Sequence, residues 1–265
     1  MTRRPNIPPR DFPRPPVRHY AGTRADAARW VRDVLRNQIL DGVFGGIAAP
    51  KPLLPPEPTL AAELGVSRNA IREALALLGA EGLITRVQGA GTFVTGAKLR
   101  QHLDRLEGLA ESLAGHHLPV DNKVLSVRES TATPFVATKL AIDEGDPILF
   151  IERLRLVGGV PLSLDTTSLR AEAIPAVKGA DLEHVDVFSL LEAELGISLG
   201  WAENTVESVG ADTATAGLLK VRTGDPLLLL HRLTYLEDGT PFDLESVRYR
   251  GDRFCLVTTT LRAPN

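Results

Sequence analysis

The chain has 265 residues, 43% of them hydrophobic and 24% charged, with a formal net charge of −3. These are values for an ordinary globular chain of one or two domains, each long enough to bury its own core. A membrane-spanning chain is excluded, since no apolar run approaches the ~18 residues needed to cross a bilayer. No cationic segment followed by an apolar one stands at the start, so no secretory signal is expected. The single cysteine, Cys255, cannot form an internal disulfide, which fits a cytoplasmic location. Charge is unevenly spread. Residues 1–98 hold 14 Lys and Arg against 8 Asp and Glu, net +6, and residues 99–265 hold 16 against 25, net −9. A basic first part joined to an acidic remainder is expected when one domain alone touches phosphates.

Residues 1–20 read as a leader, because the first 19 contain six prolines and five arginines and almost nothing apolar. Such a segment stays extended, either as a disordered tail or as a basic arm adding non-specific attraction to phosphates. A domain over residues 21–97 follows. Its first helix is predicted over Thr23–Asp41, with Ala27, Val31, Leu35 and Ile39 as a buried stripe and Gly42 as the stop. Residues 57–80 then give a short helix carrying Leu60, Ala61 and Leu64, a break at Gly65, a cap at Ser67 and a second helix. Ile71, Leu75 and Leu78 are spaced i, i+4, i+7 on that second helix, while Arg68, Asn69 and Arg72 gather near its start. Two helices joined by a tight turn, with donors on the first turn of the second, form the helix-turn-helix arrangement that presents that turn to the major groove. Strands over 83–87 and 92–95, joined through Gly89 and Gly91, add a wing.

These residues resemble the winged helix-turn-helix domain of the GntR family of bacterial transcription regulators. The likeness is carried by Leu64-Gly65-Val66-Ser67-Arg68, Arg72-Glu73-Ala74-Leu75, Glu81-Gly82-Leu83-Ile84 and Gly89-Ala90-Gly91-Thr92-Phe93-Val94. The resemblance implies double-stranded DNA as a partner, read by a homodimer on a palindromic operator. Ser67, Arg68, Asn69 and Arg72 are then the contact residues on the recognition helix, with Gln88 and Gly89 at the wing tip. Four departures weaken the expected contacts. The connector before residue 54 is longer and richer in proline than the family's, Pro56 replaces a serine, Pro58 replaces an arginine, and Ala90 stands where relatives carry a basic residue. Lys51 is a candidate substitute for the lost phosphate contact, and Glu57 is expected to serve the start of its helix.

Residues 98–122 read as a linker, with an amphipathic helix over Leu99–Leu113 ended by His116, His117 and Pro119. No carboxylate or cysteine sits at ligand spacing from the histidine pair, so no metal site is expected, and no cofactor or catalytic residue is assigned. From residue 123 to 265 the chain repeats itself. Leu140 to Arg155 aligns with Leu219 to Thr234 at an offset of 79, matching Gly145-Asp146-Pro147 and Arg153 with Gly224-Asp225-Pro226 and Arg232. One extra residue in the second turn then aligns Pro161 and Asp165 with Pro241 and Glu245. Each copy reads strand, helix, turn, long strand, turn, strand, and a helix over Val187–Leu195 lies between them. An α+β class is predicted: one antiparallel sheet with helices on one side and a cleft between the halves. The symmetry is broken by Arg155, which faces Thr234 in the alignment.

Residues 124–262 resemble the UTRA ligand-binding domain of the HutC subfamily of the same family, through Arg153-Leu154-Arg155, the first hairpin's Gly159, Pro161 and Asp165, and Tyr249-Arg250-Gly251-Asp252-Arg253-Phe254. The resemblance implies a fold like that of chorismate lyase and a small-molecule effector bound by Arg153, Arg155, Asp165, Glu245 and Tyr249. A lyase-like enzyme acting on a carboxylated molecule is the alternative. It lacks any Ser–His or Cys–His pair in the cleft. The arginines can also be read as mere partners of acids at the sheet edge. A two-residue turn at Gly158-Gly159 would set Glu152 against Asp165, which is unfavourable by up to about 1 kcal/mol. A bulge of one residue would bring Asp165 to the arginine face instead, so a bulge is predicted. Asp186 stands where sugar-phosphate-binding members have a serine, which disfavours a phosphate and leaves open an amino-acid-like or otherwise carboxylated ligand that also carries a donor.

Overall fold

The computed structural model describes residues 23–44, 52–95, 98–113 and 120–260, which fall into two compact units divided between Thr95 and Gly96. The expectations for the leader, Lys51 and the His116–His117 pair lie outside the described residues.

In the first unit, helix α1 (Arg24–Leu40) starts at Thr23, whose side chain and that of Asp26 cap each other's backbone in a capping box. Helix α2 (Glu57–Leu64) starts after Pro56 and ends where Gly65 turns left-handed at φ 64°. Helix α3 (Arg68–Ala80) is capped by Ser67. Val31, Leu35 and Ile39 of α1 meet Ile71, Leu75 and Leu78 of α3 in one core with Leu60 and Leu83. Each such side chain removed from water contributes about 1.5–3 kcal/mol, so this stripe-on-stripe contact holds the three helices. Strands β1 (Ile84–Val87) and β2 (Gly91–Val94) pair antiparallel as the expected wing. The proline-rich connector has a use that spacing did not show. Val94 N–H donates to the Pro52 carbonyl at 2.8 Å and Leu54 N–H to the Thr92 carbonyl at 2.8 Å, so residues 52–54 extend the wing sheet. Pro52 lacks an N–H but keeps its carbonyl, which is the only group this edge needs from it.

In the second unit, one six-stranded antiparallel sheet has the order β4-β5-β6-β9-β8-β7. Its strands are β4 (Val120–Thr131), β5 (Pro147–Val157), β6 (Val160–Arg170), β7 (Leu199–Gly210), β8 (Pro226–Leu236) and β9 (Pro241–Arg250). Helices α5 (Pro134–Leu140) and α8 (Thr213–Leu219) follow β4 and β7 at equivalent places, as the repeat requires. The two copies meet at β6 and β9, whose pairing closes the sheet about its pseudo-symmetry axis. Helix α7 (Val187–Leu195) runs from its Asp186 cap to the left-handed Gly196.

Two expectations are corrected. Helices cover both faces of the sheet, not one. Short helix α6 (Ile174–Val177) and α7 pack on Leu149, Ile151 and Leu169, whereas α5 and α8 pack on Ile148, Leu154, Leu227 and Leu233. Strands β5 and β8 are apolar on both sides, so each side needs a cover. Nor is Leu99–Leu113 one helix in a linker. Leu99–His102 forms strand β3, which pairs parallel with β10 (Phe254–Val257), and only Leu109–Leu113 forms a helix, α4. Leu99, Leu109 and Leu113 are buried with Leu162, Leu230, Val247, Tyr249 and Phe254. Leu109 and Leu113 keep the helical spacing, whereas Leu99 meets a long-range β partner that no local window contains.

The β9–β10 turn sets a sharp steric requirement. A Cβ on Gly251 would stand 2.8 Å from the Pro226 carbonyl oxygen, whereas Gly217 within α8 has open space around it. Gly251→Ala is expected to destabilise the second unit by about 1–3 kcal/mol in urea titration. Gly217→Ala should be neutral or gain up to ~1 kcal/mol. Equal effects from the two would contradict this placement.

Candidate functional site

The first candidate surface is the start of α3. Ser67 Oγ accepts the Ala70 N–H at 3.2 Å, which fixes the helix start and leaves Arg68, Asn69 and Arg72 exposed. Opposite them, Ala70, Ile71, Ala74 and Leu75 are buried, so helical period alone forces the polar residues outward. Arg72 Nε donates to Glu57 Oε2 at 2.8 Å, and Arg86 Nη2 of β1 lies 3.5 Å from Glu57 Oε1. Glu57 stands in the first turn of α2 as expected, but its carboxylate serves these two guanidiniums. An exposed pair of this kind is worth at most about 1 kcal/mol of stability. Its value is orientation: it holds Arg72 at one place on the surface. Arg86 escaped sequence reasoning because it lies 14 residues beyond Arg72, and only the hairpin brings it back. Gln88 and Gly89 lie exposed in the turn between β1 and β2, where Gly89 takes φ +76°.

The second candidate site is on the sheet face beneath α7. Val157 and Val160 flank the Gly158-Gly159 turn, and the register then slips by one residue, so that Arg155 faces Ser163 and Arg153 faces Asp165. This is the predicted bulge. The second copy slips in the same place, setting Thr234 against Asp243 and Arg232 against Glu245. Alternation along β5, β6, β9 and β8 therefore collects Arg153, Arg155, Asp165, Thr167, Asp243, Glu245, Tyr249 and Arg232 on one face. Asp165 is 1% exposed. One of its oxygens accepts from Arg155 Nε and lies 3.6 Å from Arg153 Nη2, and the other accepts from Ser163 Oγ at 3.0 Å.

Glu245 bridges the halves, 3.8 Å from Arg155 and 3.8 Å from Arg232. Asp186 caps α7 through the Phe188 N–H and lies 4.0 Å from Arg155. Strand β3 and the segment after it form the roof. Tyr249 Oη donates to Gln101 Oε1 at 3.2 Å, and Arg232 Nη1 donates to the Glu107 carbonyl at 3.4 Å. Gly108 lies so close to Asp186 that a Cβ there would collide with the carboxylate. The space between them is about 20 Å³, room for little more than one water.

Of the five expected effector residues, Arg153, Arg155, Glu245 and Tyr249 line this space, and Asp165 lies under it as the counter-charge of the arginines. Asp243, Arg232, Thr167, Phe188 and Gln101 join them without having been expected there. The repeat alignment held a signal for two of these: Arg232 is the equivalent of Arg153, and Asp243 that of Ser163. Electrostatics separates the groups. Burial works against the charged form of Arg155, but Asp165, Glu245 and Asp186 around it raise its pKa still higher than usual. Arg153 goes the other way, lowered by burial and by its neighbour Arg155. Burial raises the carboxyl of Glu245, and burial together with Glu245 raises that of Asp243 well above the ordinary range. Burial and then Glu245 also raise the Tyr249 phenol. Among the described residues no cluster fits a metal ion, and nothing in the pocket has the pairing of a nucleophile with a base.

Comparison with known proteins gives the following. Residues 27–94 match the model of bacterial regulatory proteins of the gntR family, and residues 116–255 match the UTRA domain. The chain is 29% identical over 227 residues to the HTH-type transcriptional repressor NagR of Bacillus subtilis, covering 86% of this chain and 91% of that one. It is 27% identical over 224 residues to the histidine utilization repressor of Pseudomonas putida, covering 84% and 90%. Among solved structures it resembles PhnF from Mycobacterium smegmatis, with a TM-score of 0.64 at 27% identity, over 88% of this chain and all of that one.

The pocket makes two opposite predictions. Asp165→Asn leaves two buried guanidiniums short of a counter-charge and is expected to destabilise the second unit by about 3–5 kcal/mol in chemical denaturation. A loss under about 1 kcal/mol would show that Asp165 does not hold the arginines. Asp243 behaves differently, because its folded-state pKa is raised. The folded protein then keeps a proton the unfolded chain has lost, and stability falls as pH rises from the ordinary carboxylate range through the raised value. Asp243→Asn removes that fall. Its Tm should exceed that of the parent at neutral pH and converge with it near pH ~4; a lower Tm at neutral pH would contradict the assignment.

Proposed function

The chain belongs to the GntR family of bacterial transcriptional regulators, in the branch that carries a UTRA domain, and from that premise we propose that it binds a two-fold symmetric operator as a homodimer and is released or modulated by a small effector held between the two halves of its second unit. It is a regulator, not an enzyme. The observation that carries the proposal is the start of α3, where a capped helix end presents Arg68, Asn69 and Arg72 outward beside a wing.

Arg suits guanine because its planar fork donates to O6 and N7 together, worth roughly 1–3 kcal/mol of discrimination. Arg72 is held for this task by Glu57, which keeps the guanidinium from spreading over many rotamers. Ser67 uses its oxygen lone pair for the cap and keeps its O–H proton for a phosphate. Gln88 and Gly89 approach the minor groove from the wing tip, with only a weak contribution at Ala90, which has no charge to offer. Homodimerisation follows from the economy of reading one half-site per copy, so the operator repeats about one helical turn apart.

Release depends on the roof of the pocket. A space of about 20 Å³ admits no metabolite as it stands. A ligand large enough to touch Arg153 and Glu245 must displace the Gln101–Tyr249 or Glu107–Arg232 contacts, both of which belong to the chain segment that directly follows the DNA-binding unit in sequence. A ligand that prefers the opened roof by a few kcal/mol shifts the protein toward it and, by linkage, changes operator affinity by the same factor.

Arg72→Ala is expected to weaken specific operator binding at least tenfold at fixed salt, read by titration of a labelled fragment carrying the site. Binding to random competitor should change much less, since a single phosphate-type charge accounts for that. Unchanged specific affinity would sink the assignment of α3 as the reading helix.

A further inference from the structure

One paired position at which the two halves of the sheet differ points to the class of molecule the pocket takes. In the first copy Arg155 faces Ser163; in the second the equivalent pair is Thr234 facing Asp243. A guanidinium with a hydroxyl has been exchanged for a hydroxyl with a carboxylate. Four carboxylates, Asp165, Asp186, Asp243 and Glu245, consequently stand around three guanidiniums, Arg153, Arg155 and Arg232.

Most of this charge is consumed internally. Arg155 is taken up by Asp165 with Asp186 and Glu245 nearby. Two groups lining the pocket keep polar atoms without a hydrogen-bond partner. Arg153, 1% exposed, has no hydrogen-bond partner at Nε or Nη1, and Asp243, also 1% exposed, has none at Oδ1. Both line the same small space. A buried donor or acceptor without a partner costs about 1–3 kcal/mol, more when charged, so such groups persist where a ligand completes them. Resting on the reading of this pocket as the effector site, we propose that the effector is a small zwitterion of the amino-acid class, its carboxylate accepting from Arg153 and its ammonium donating to Asp243 and Glu245.

A phosphate or a second carboxylate fits worse, because Asp165, Asp186 and Glu245 already offset the three guanidiniums and the added negative charge would stand beside the unpartnered Asp243. Size agrees with a side chain. Arg232 also borders a second cavity of about 250 Å³, lined by Ala202 and Asn204 of β7 and by the segment Leu103–Leu106. A ligand held at Arg153 and Asp243 can extend past Arg232 into that larger space, where Asn204 already accepts from Arg232 Nε at 3.2 Å.

The test uses the full chain with the proteinogenic L-amino acids and 4-aminobutyrate as probes, and glucose 6-phosphate, succinate and glucitol as comparators. Thermal stabilisation finds a binder and calorimetry gives its affinity. At least one zwitterion is expected to bind. Its N-acetyl and its amide derivatives, which lack one charge each, should bind at least tenfold more weakly. Asp243→Asn, whose fold is checked by its melting transition, should weaken the zwitterion at least tenfold and abolish the preference for the free ammonium over the N-acetyl form. Conversion of Asp243 to its ionised form on binding should release a proton, read from the dependence of the binding enthalpy on buffer. The proposal is overturned if a comparator binds in preference, if the N-acetyl form binds as well as the parent, or if no zwitterion binds. A zwitterion that binds as described without altering operator affinity would leave this site intact and overturn the effector reading instead.

Discussion

Everything in the second unit that bears on function depends on one ion pair, the contact of Asp165 with Arg155, backed by Arg153. These groups are almost wholly removed from water. Taking an isolated charge out of water costs several kcal/mol, and attraction offsets that only when geometry is good and the remaining lone pairs are satisfied. Both conditions trace to the bulge at Leu162. Side chains alternate along a strand, so without that extra residue Asp165 would face Glu152, and the arginines would be buried against Leu164 and other neutral side chains. A one-residue slip in a hairpin is thus what makes a charged pocket possible inside an otherwise apolar sheet. The second hairpin slips at Phe242 in the same way and brings Glu245 to Arg232.

Duplication explains both the strength and the weakness of this arrangement. Two copies of one hairpin, joined through β6 and β9, place equivalent residues around a common axis, and the pocket lies across that axis. Strict symmetry would give a site with two like ends. Replacement of Arg155 by Thr234 and of Ser163 by Asp243 gives it unlike ends, and Asp243 is held at a cost in stability that its raised pKa records. Proteins retain such strained groups where binding needs them.

The DNA-binding unit follows a different logic. Its core is built from regular helix stripes, and its polar residues sit outside because the period leaves them nowhere else to go. There Glu57 is a long-range device, tying Arg72 of α3 to Arg86 of the wing and so coupling the two elements proposed to meet DNA.

The sequence by itself determined the first unit almost completely, along with the α5, α7 and α8 helices, the paired long strands and the bulge. Helical periods, caps such as Ser67, glycine stops and an internal repeat are all local or self-referential signals, readable without knowing what lies across the fold. Tertiary structure alone decided which residues share the pocket and what roofs it. The leucines of Leu99–Leu113 fit the spacing of a linker helix, yet its first four residues form a strand against Phe254–Val257, more than 150 residues away. Gln101 and Glu107 joined the site through that pairing. Backbone hydrogen bonds between distant strands are set by which surfaces can be buried together, and that is a property of the whole chain that no local window carries.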